Sequence, residues 1–135
     1  MALVIDASVA AAWCLRDEEG SLRAGAVMAR VDEEEAIVPS LFWHEIVNIL
    51  IVAERQKRIE RIGADRCLED LRDLGLVTDS TQDYQATLAL ARRRNLSGYD
   101  AAYLETAKRH DAEVATLDKA MARAAVAESI ATTWA

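Results

Sequence analysis

The sequence predicts an α/β fold: a short parallel sheet with helices on both faces. Three observations predict it. Apolar runs with a β-branched bias recur at residues 3–5 (LVI), 36–38 (AIV), 76–78 (LVT) and 114–117 (VATL), each too short for a helix. Between them lie longer segments with apolar residues at helical spacing, and strands alternating with helices argue for parallel pairing through crossovers. With 135 residues, the chain is large enough for one domain burying about two-thirds of its unfolded surface around a single core.

In chain order, Leu3, Val4 and Ile5 form a buried-type strand stopped by Asp6, and a helix over 8–15 carries Trp13 inward. Gly20 and Ser21 open a second helix to about residue 35, with Leu22, Ala26, Val27 and Val31 on its apolar face. The strand at 36–38 is stopped by Pro39, the only proline. Ser40 caps the helix LFWHEIVNILIVAER, whose apolar residues run nearly all the way round at 49–52, so it is buried on most sides or lies in an interface. Glu45 shares a stripe of that helix with Leu41, Ile49 and Val52, and Asn48 follows one turn later. A carboxylate on an apolar stripe is costly unless paired, protonated or bound to a metal.

A helix over 64–74 uses Cys67, Leu68 and Leu71 inward and ends at Gly75. Ser80 or Thr81 caps the next, with Tyr84, Leu88 and Ala91 inward. The stretch NLSGYDAAYLETAKRHDAEVATLDK at 95–119 then reads as turn, helix, loop, buried strand and new helix. Asp100, Tyr103, Leu104 and Ala107 fall on one helical stripe, and Thr116 and Asp118 point the same way from the strand end. Residues 129–134 are expected to add a last edge strand.

Structural roles account for some of these acids. Ser97 with Asp100 matches a capping box, and Asp118 is an ordinary N-cap for KAMARAAVA. Asp6 and Asp118 nevertheless both stand at carboxyl ends of strands, where open α/β sheets bind ligands. Asp100 begins the helix before the last strand, and Glu45 lies early in the helix after the second. The four acids are therefore expected to meet on one edge of the sheet.

Net charge is −7, from 23 acidic and 16 basic residues, which argues against a broad basic face coating a long nucleic acid. Runs at Arg92 to Arg94 and at Arg55, Lys57, Arg58 and Arg61 read as solvated helix surface. Asp6 and the acidic residues 17–19 interrupt the apolar start, so neither a signal peptide nor a membrane span is expected. Cys14 and Cys67 have no CxxC partner and are expected to be reduced, buried small hydrophobes of a cytoplasmic protein.

Four convergent acids repel one another unless a cation neutralises them. All-carboxylate sites suit Mg²⁺ or Mn²⁺; Zn²⁺ prefers His or Cys. HEIVN begins like a zinc-protease motif, but Asn48 stands where a second His is needed. No GxGxxG, GxxxxGK[ST] or GxSxG occurs, which removes the signals for nucleotide-dependent and serine-hydrolase chemistry. Metal-dependent phosphodiester hydrolysis needs no side-chain nucleophile and explains this inventory.

VIDAS at 4–8, HEIVN at 44–48, LSGYDAAYLETA at 96–107 and ATLDK at 115–119 together resemble the PIN domain, most closely the VapC toxins of bacterial and archaeal toxin–antitoxin pairs. The resemblance spans nearly the whole chain. It implies a three-layer α/β/α sandwich and a Mg²⁺- or Mn²⁺-dependent endoribonuclease held inactive by a cognate antitoxin. Position by position, Asp6, Glu45, Asp100 and Asp118 match the family's acidic quartet, with Asp6 and Asp100 as main metal ligands. Ser8 and Thr116 match hydroxyls that orient the carboxylates, and Asn48 stands beside Glu45 as a further supporting group. Met121 departs from the larger apolar or aromatic residue expected after the last acid.

From physics alone, Lys119 opposes the helix dipole, which suggests a substrate phosphate as its partner. Tyr99 is expected to pack in the core, with base stacking as its other use. Phe42, Trp43, Val47, Leu50 and Ile51 offer more apolar surface than one core contact needs, predicting a homodimer, an antitoxin groove or both. The competing readings are a phospho-receiver, which wants two adjacent acids after the first strand where this chain has Asp6 alone, and a degenerate fold that only binds.

Overall fold

The computed structural model describes residues 1–16 and 20–133. The elements run β1 (Leu3–Ile5), α1 (Ala7–Leu15), α2 (Ser21–Ala29), a 3₁₀ turn (Arg30–Asp32), β2 (Ala36–Pro39), α3 (Leu41–Arg55), α4 (Arg61–Asp73), β3 (Val77–Asp79), α5 (Tyr84–Arg94), α6 (Gly98–His110), β4 (Glu113–Ala115) and α7 (Lys119–Ala127). All strands pair in parallel, in the order β3-β2-β1-β4. Leu3 is in register with Ala36 on one side and Glu113 on the other.

That order follows from the connections. β1 to β2 and β2 to β3 step one way across the sheet, whereas the crossover from β3 to β4 returns past both to the far side of β1. Right-handed crossovers then put α1 to α4 on one face and α5 and α6 on the other. The packing agrees: α1 touches α2 and α3, α3 touches α4, and α5 pairs with α6, which lies along β1, β2 and β4. The direction reverses beside β1, opening a crevice at the carboxyl ends of β1 and β4.

Leu3, Val4 and Ile5 are wholly buried, as a strand covered on both faces requires. α6 is buried over all seven residues from Ala101 to Ala107, including Tyr103 and Leu104, so its small alanines let it sit close to the sheet. Asn95 and Asp111 end α5 and α6 in the left-handed conformation, and Gly75, at φ +77, does the same work after α4.

Several expectations are corrected. Cys14 and Cys67 form a disulfide, with Cα atoms 5.7 Å apart. α1 and α4 both pack on α3, which brings together two positions 53 residues apart in a way that spacing does not reveal. In α5, Tyr84 and Leu88 are exposed while Thr87 and Leu90 are buried, so the apolar stripe is rotated from the expected one. Asp83, not Ser80 or Thr81, caps this helix, accepting from the Ala86 amide at 3.0 Å. Leu22 is 90% exposed, and its helix stops at Ala29 before the 3₁₀ turn. Ser40 has helical dihedrals and makes no side-chain cap bond. The expected last strand is a single parallel bridge between Val114 and Thr132; its residue Trp134 lies outside the described residues.

On α3, Phe42 and Leu50 are core residues, and half-buried Trp43 packs edge-on against Phe42 while its indole donates to Thr78 Oγ1 at 2.9 Å. The exposed apolar surface of α3 is thus Val47, Ile51 and Val52, smaller than the sequence suggested. Among the described residues no helix is long and apolar enough to cross a membrane.

Candidate active site

Asp6 leaves β1 at the centre of the crevice. Its amide still bonds the Ala115 carbonyl at 3.0 Å, extending the ladder to β4, and its backbone occupies the N-cap position of α1. Its side chain makes no capping bond. Instead Oδ2 accepts from Ser8 Oγ and from Thr116 Oγ1, each at 2.7 Å. Each hydroxyl is oriented in turn, because the Leu117 amide donates to Ser8 Oγ at 3.1 Å and the Asp118 amide to Thr116 Oγ1 at 3.0 Å. A hydroxyl has one proton to give, and these two relays direct both at the same carboxylate oxygen. Asp6 is only 5% exposed.

Glu45, in the second turn of α3, is half-buried, and Oε1 accepts from the Tyr103 hydroxyl at 2.6 Å. Tyr103 is wholly buried in α6, so the two helix layers meet through this bond across the edge of the sheet. The sequence places Tyr103 on the inward stripe but does not reveal that its hydroxyl serves Glu45. Only the crossing of α6 over the sheet shows it.

Asp100 lies half-buried in the first turn of α6, and its amide is capped by Ser97 Oγ at 3.1 Å. Asp118 does what its structural reading required: Oδ1 accepts from the amides of Ala120 at 2.8 Å and Met121 at 3.2 Å. Asn48 is exposed and shares a cavity of about 430 Å³ with Leu41, His44, Glu45, Ile49 and Tyr99. It makes no hydrogen bond to Glu45 among the described residues. Tyr99 is 66% exposed on the same cavity, which corrects the expectation of core packing.

The electrostatics join the four acids. Burial first, then the charge of Glu45, raises the Asp6 carboxyl above its usual range, against the lowering effect of Thr116 and Ser8. Burial raises Glu45; the Tyr103 hydroxyl opposes this and the charge of Asp100 adds to it. Burial, then Asp118, then Asp6 raise Asp100. Each acid therefore lies in the field of another, and none forms a salt bridge among the described residues.

Among the described residues, no three Asp, Glu, His or Cys side chains are drawn to within direct metal-holding distance of one another. The donor set nevertheless suits a hard divalent cation: it is all oxygen, its central carboxylate is held by hydroxyls, and its charges repel. His110 lies elsewhere, against Asp79, and belongs to no such set.

A parallel α/β fold with an acidic crevice at its switch point defines a class of domain whose ligands bind at the carboxyl edge of the sheet. The PIN domain family model matches residues 3–127, and the chain belongs to that family. Among solved structures, it is similar to PAE2754 from Pyrobaculum aerophilum (TM-score 0.74, 21% identity, covering 92% of this chain and 79% of that one). It is also similar to VapBC2 from Rickettsia felis bound to a DNA fragment from their promoter (0.69, 11%, 98% and 98%) and to FitAcB from Neisseria gonorrhoeae (0.64, 17%, 96% and 95%). At these identities the likeness is one of fold. No curated protein sequence matches. Family membership sets aside the phospho-receiver alternative.

Proposed function

We propose that this single-domain chain is the toxin of a VapC-type toxin–antitoxin pair, an endoribonuclease that hydrolyses RNA with Mg²⁺ or Mn²⁺ held by Asp6, Asp100, Glu45 and Asp118. The observation that carries the reading is Asp6: a buried carboxylate at a helix start that is aimed by two hydroxyl relays. A carboxylate kept so, among three more acids and without a cation, serves no evident purpose in stability.

Bound there, a divalent cation would supply an activated water and neutralise charge on the phosphodiester. The protein's own part is positional. Ser8 and Thr116 hold Asp6, Tyr103 holds Glu45, and the cap formed by Asp118 uses only its Oδ1. Burial and mutual repulsion make the charged forms of Asp6, Glu45 and Asp100 costly on their own, and a bound cation would offset that cost in competition with protons.

The partners are an RNA substrate and a cognate antitoxin, for which the exposed α3 residues Val47, Ile51 and Val52 offer apolar surface, as they do for a homodimer. An RNA substrate places the protein in the cytoplasm, where cellular thiols oppose the Cys14–Cys67 bond.

The test is cleavage of single-stranded and structured RNAs by antitoxin-free protein with Mg²⁺ or Mn²⁺, comparing wild type with Asp6→Asn. Wild type is expected to cleave and to gain thermal stability from the metal. Asp6→Asn is expected to stay folded and do neither. Cleavage that survives in a folded Asp6→Asn protein would sink the reading, and metal binding without turnover would make this a binding member of its family.

A further inference from the structure

Two cavities flank the four acids. On the side of β4 and α7, Arg23, Thr116, Leu117, Asp118, Lys119, Ala122, Arg123 and Val126 line a space of about 540 Å³. On the side of α3 and α6 lies the cavity of about 430 Å³ that holds Glu45 and Tyr99. Asp118 and Thr116 border the first and Glu45 the second, so a chain passing from one to the other crosses the acids. Both volumes fall within the range of small-molecule sites and are of the order of a nucleotide.

Their chemistries differ. In the first, Lys119 and Arg123 stand one turn apart on α7, both exposed and without an ion pair among the described residues. Arg23 is brought to the same cavity because Gly20, at φ +90, seats the start of α2 against Leu117; a Cβ at Gly20 would come within 3.1 Å of Leu117 Cδ1. In a chain of net charge −7, the two exposed cations Lys119 and Arg123 on one wall of a cavity beside an acidic site offer a local grip for an anion.

The second cavity lacks Lys and Arg. It offers the exposed ring of Tyr99, the apolar Leu41 and Ile49, and the polar edges of His44 and Asn48. An aromatic face with a few hydrogen-bonding groups suits an unstacked base.

We infer that single-stranded RNA is laid across the acids, its backbone phosphates gripped by Lys119 and Arg123 on one side and a base stacked on Tyr99 on the other. This rests on the nuclease reading for what happens between the two grips, but the binding track is separately measurable. Only a single strand fits, because stacking on Tyr99 needs a base freed from its neighbours, and two grips on few phosphates suit an acidic protein.

The experiment measures binding of a randomised pool of short single-stranded RNAs, and of a duplex, to Asp6→Asn protein by fluorescence anisotropy over a salt series. Lys119→Gln with Arg123→Gln is expected to weaken single-strand binding about 10-fold and to reduce the slope of log K against log salt by about 1.4, at roughly 0.7 per lost phosphate contact. Tyr99→Ala is expected to weaken binding about 10-fold with the slope unchanged, and Tyr99→Phe to bind as the parent does, because the ring is kept. Tyr99, Lys119 and Arg123 are all exposed, and unchanged melting temperatures would confirm folding.

Parent-like binding by both sets of variants, no RNA binding by the parent, or preference for the duplex would overturn the inference. So would loss of antitoxin binding alone in the Lys119/Arg123 variant, which would assign that cavity to the protein partner. Cleavage by wild type separates the two claims. Cleavage with KM unaffected by these variants leaves the nuclease reading standing without the track, and weakened binding with no cleavage by wild type leaves the track without the nuclease.

Discussion

Two groups of acids lie in this molecule, and their environments push them in opposite directions. In the crevice, Asp6, Glu45 and Asp100 are raised, chiefly by burial, and form no salt bridge among the described residues. Around the ends of α5 and α6, buried acids are paired. Asp79 accepts from Arg109 Nη1 at 2.6 Å and from Thr81, with His110 against the same carboxylate. Glu105 takes Arg109, Gln82 and the Asp83 amide. Glu128 meets Arg93, Arg94 and Lys108. Glu128 and Asp79 are held well below the usual carboxylate range, by the cations around Glu128 and by hydrogen bonds that outweigh burial at Asp79. Burial alone thus does not distinguish a site from a scaffold; what distinguishes them is whether the protein supplies the counter-charge or leaves it to be brought from outside.

The sharpest test of that contrast is Asp6→Asn. Removing an unpaired acid is expected to reduce metal-dependent RNA cleavage by more than about 100-fold, beyond the usual effect of losing a supporting group, with the metal-free melting temperature held or raised. In the paired group the opposite is expected. Arg109→Ala takes the guanidinium from two buried carboxylates, leaving Asp79 with Thr81 and His110 and Glu105 with Gln82 and the Asp83 amide, and should cost about 3 kcal/mol in urea-derived stability, leaving kcat of the folded fraction unchanged. An equal stability loss in both variants would break the comparison.

Tyr103→Phe removes only the hydroxyl that holds Glu45. It should lower metal affinity or activity about 10- to 100-fold and stability by about 1 kcal/mol, separable by titrating the metal and melting the protein. The smallest effect expected is on pH. Glu128 and Asp79 have depressed folded values, so the stability they give is complete above their unfolded values near 4.5 and 3.8 and is lost as pH falls through the folded ones. The urea midpoint should therefore decline on acidification below about pH 5, and Glu128→Gln should flatten that decline. A decline of the same steepness in Glu128→Gln would remove Glu128 from the account.

Much of the fold was legible in the chain because the signals are local. Short β-branched runs, helical spacing, Gly75 after a helix, Ser97 before one and Asp118 as a cap depend on near neighbours and were read correctly. Misread were features whose cause lies elsewhere in space. The apolar face of α5 turned because α6 receives Leu90 and Thr87 while leaving Tyr84 and Leu88 to solvent, and the cysteines met because α1 and α4 share α3.

The candidate site divides in the same way. The residue types, the placement of Asp6 and Asp118 at junctions of strand and helix, and that of Asp100 in the first turn of a helix were determined by sequence alone, since an acid that ends an apolar run or follows a capping serine stands where backbone hydrogen bonding changes. Only tertiary structure decided that β4 lies beside β1 and not beside β3, which brings Thr116 onto Asp6, and that α6 crosses the sheet so that Tyr103 reaches Glu45. Strand order is set by the returning crossover and its handedness, a property of the whole chain that no local pattern records.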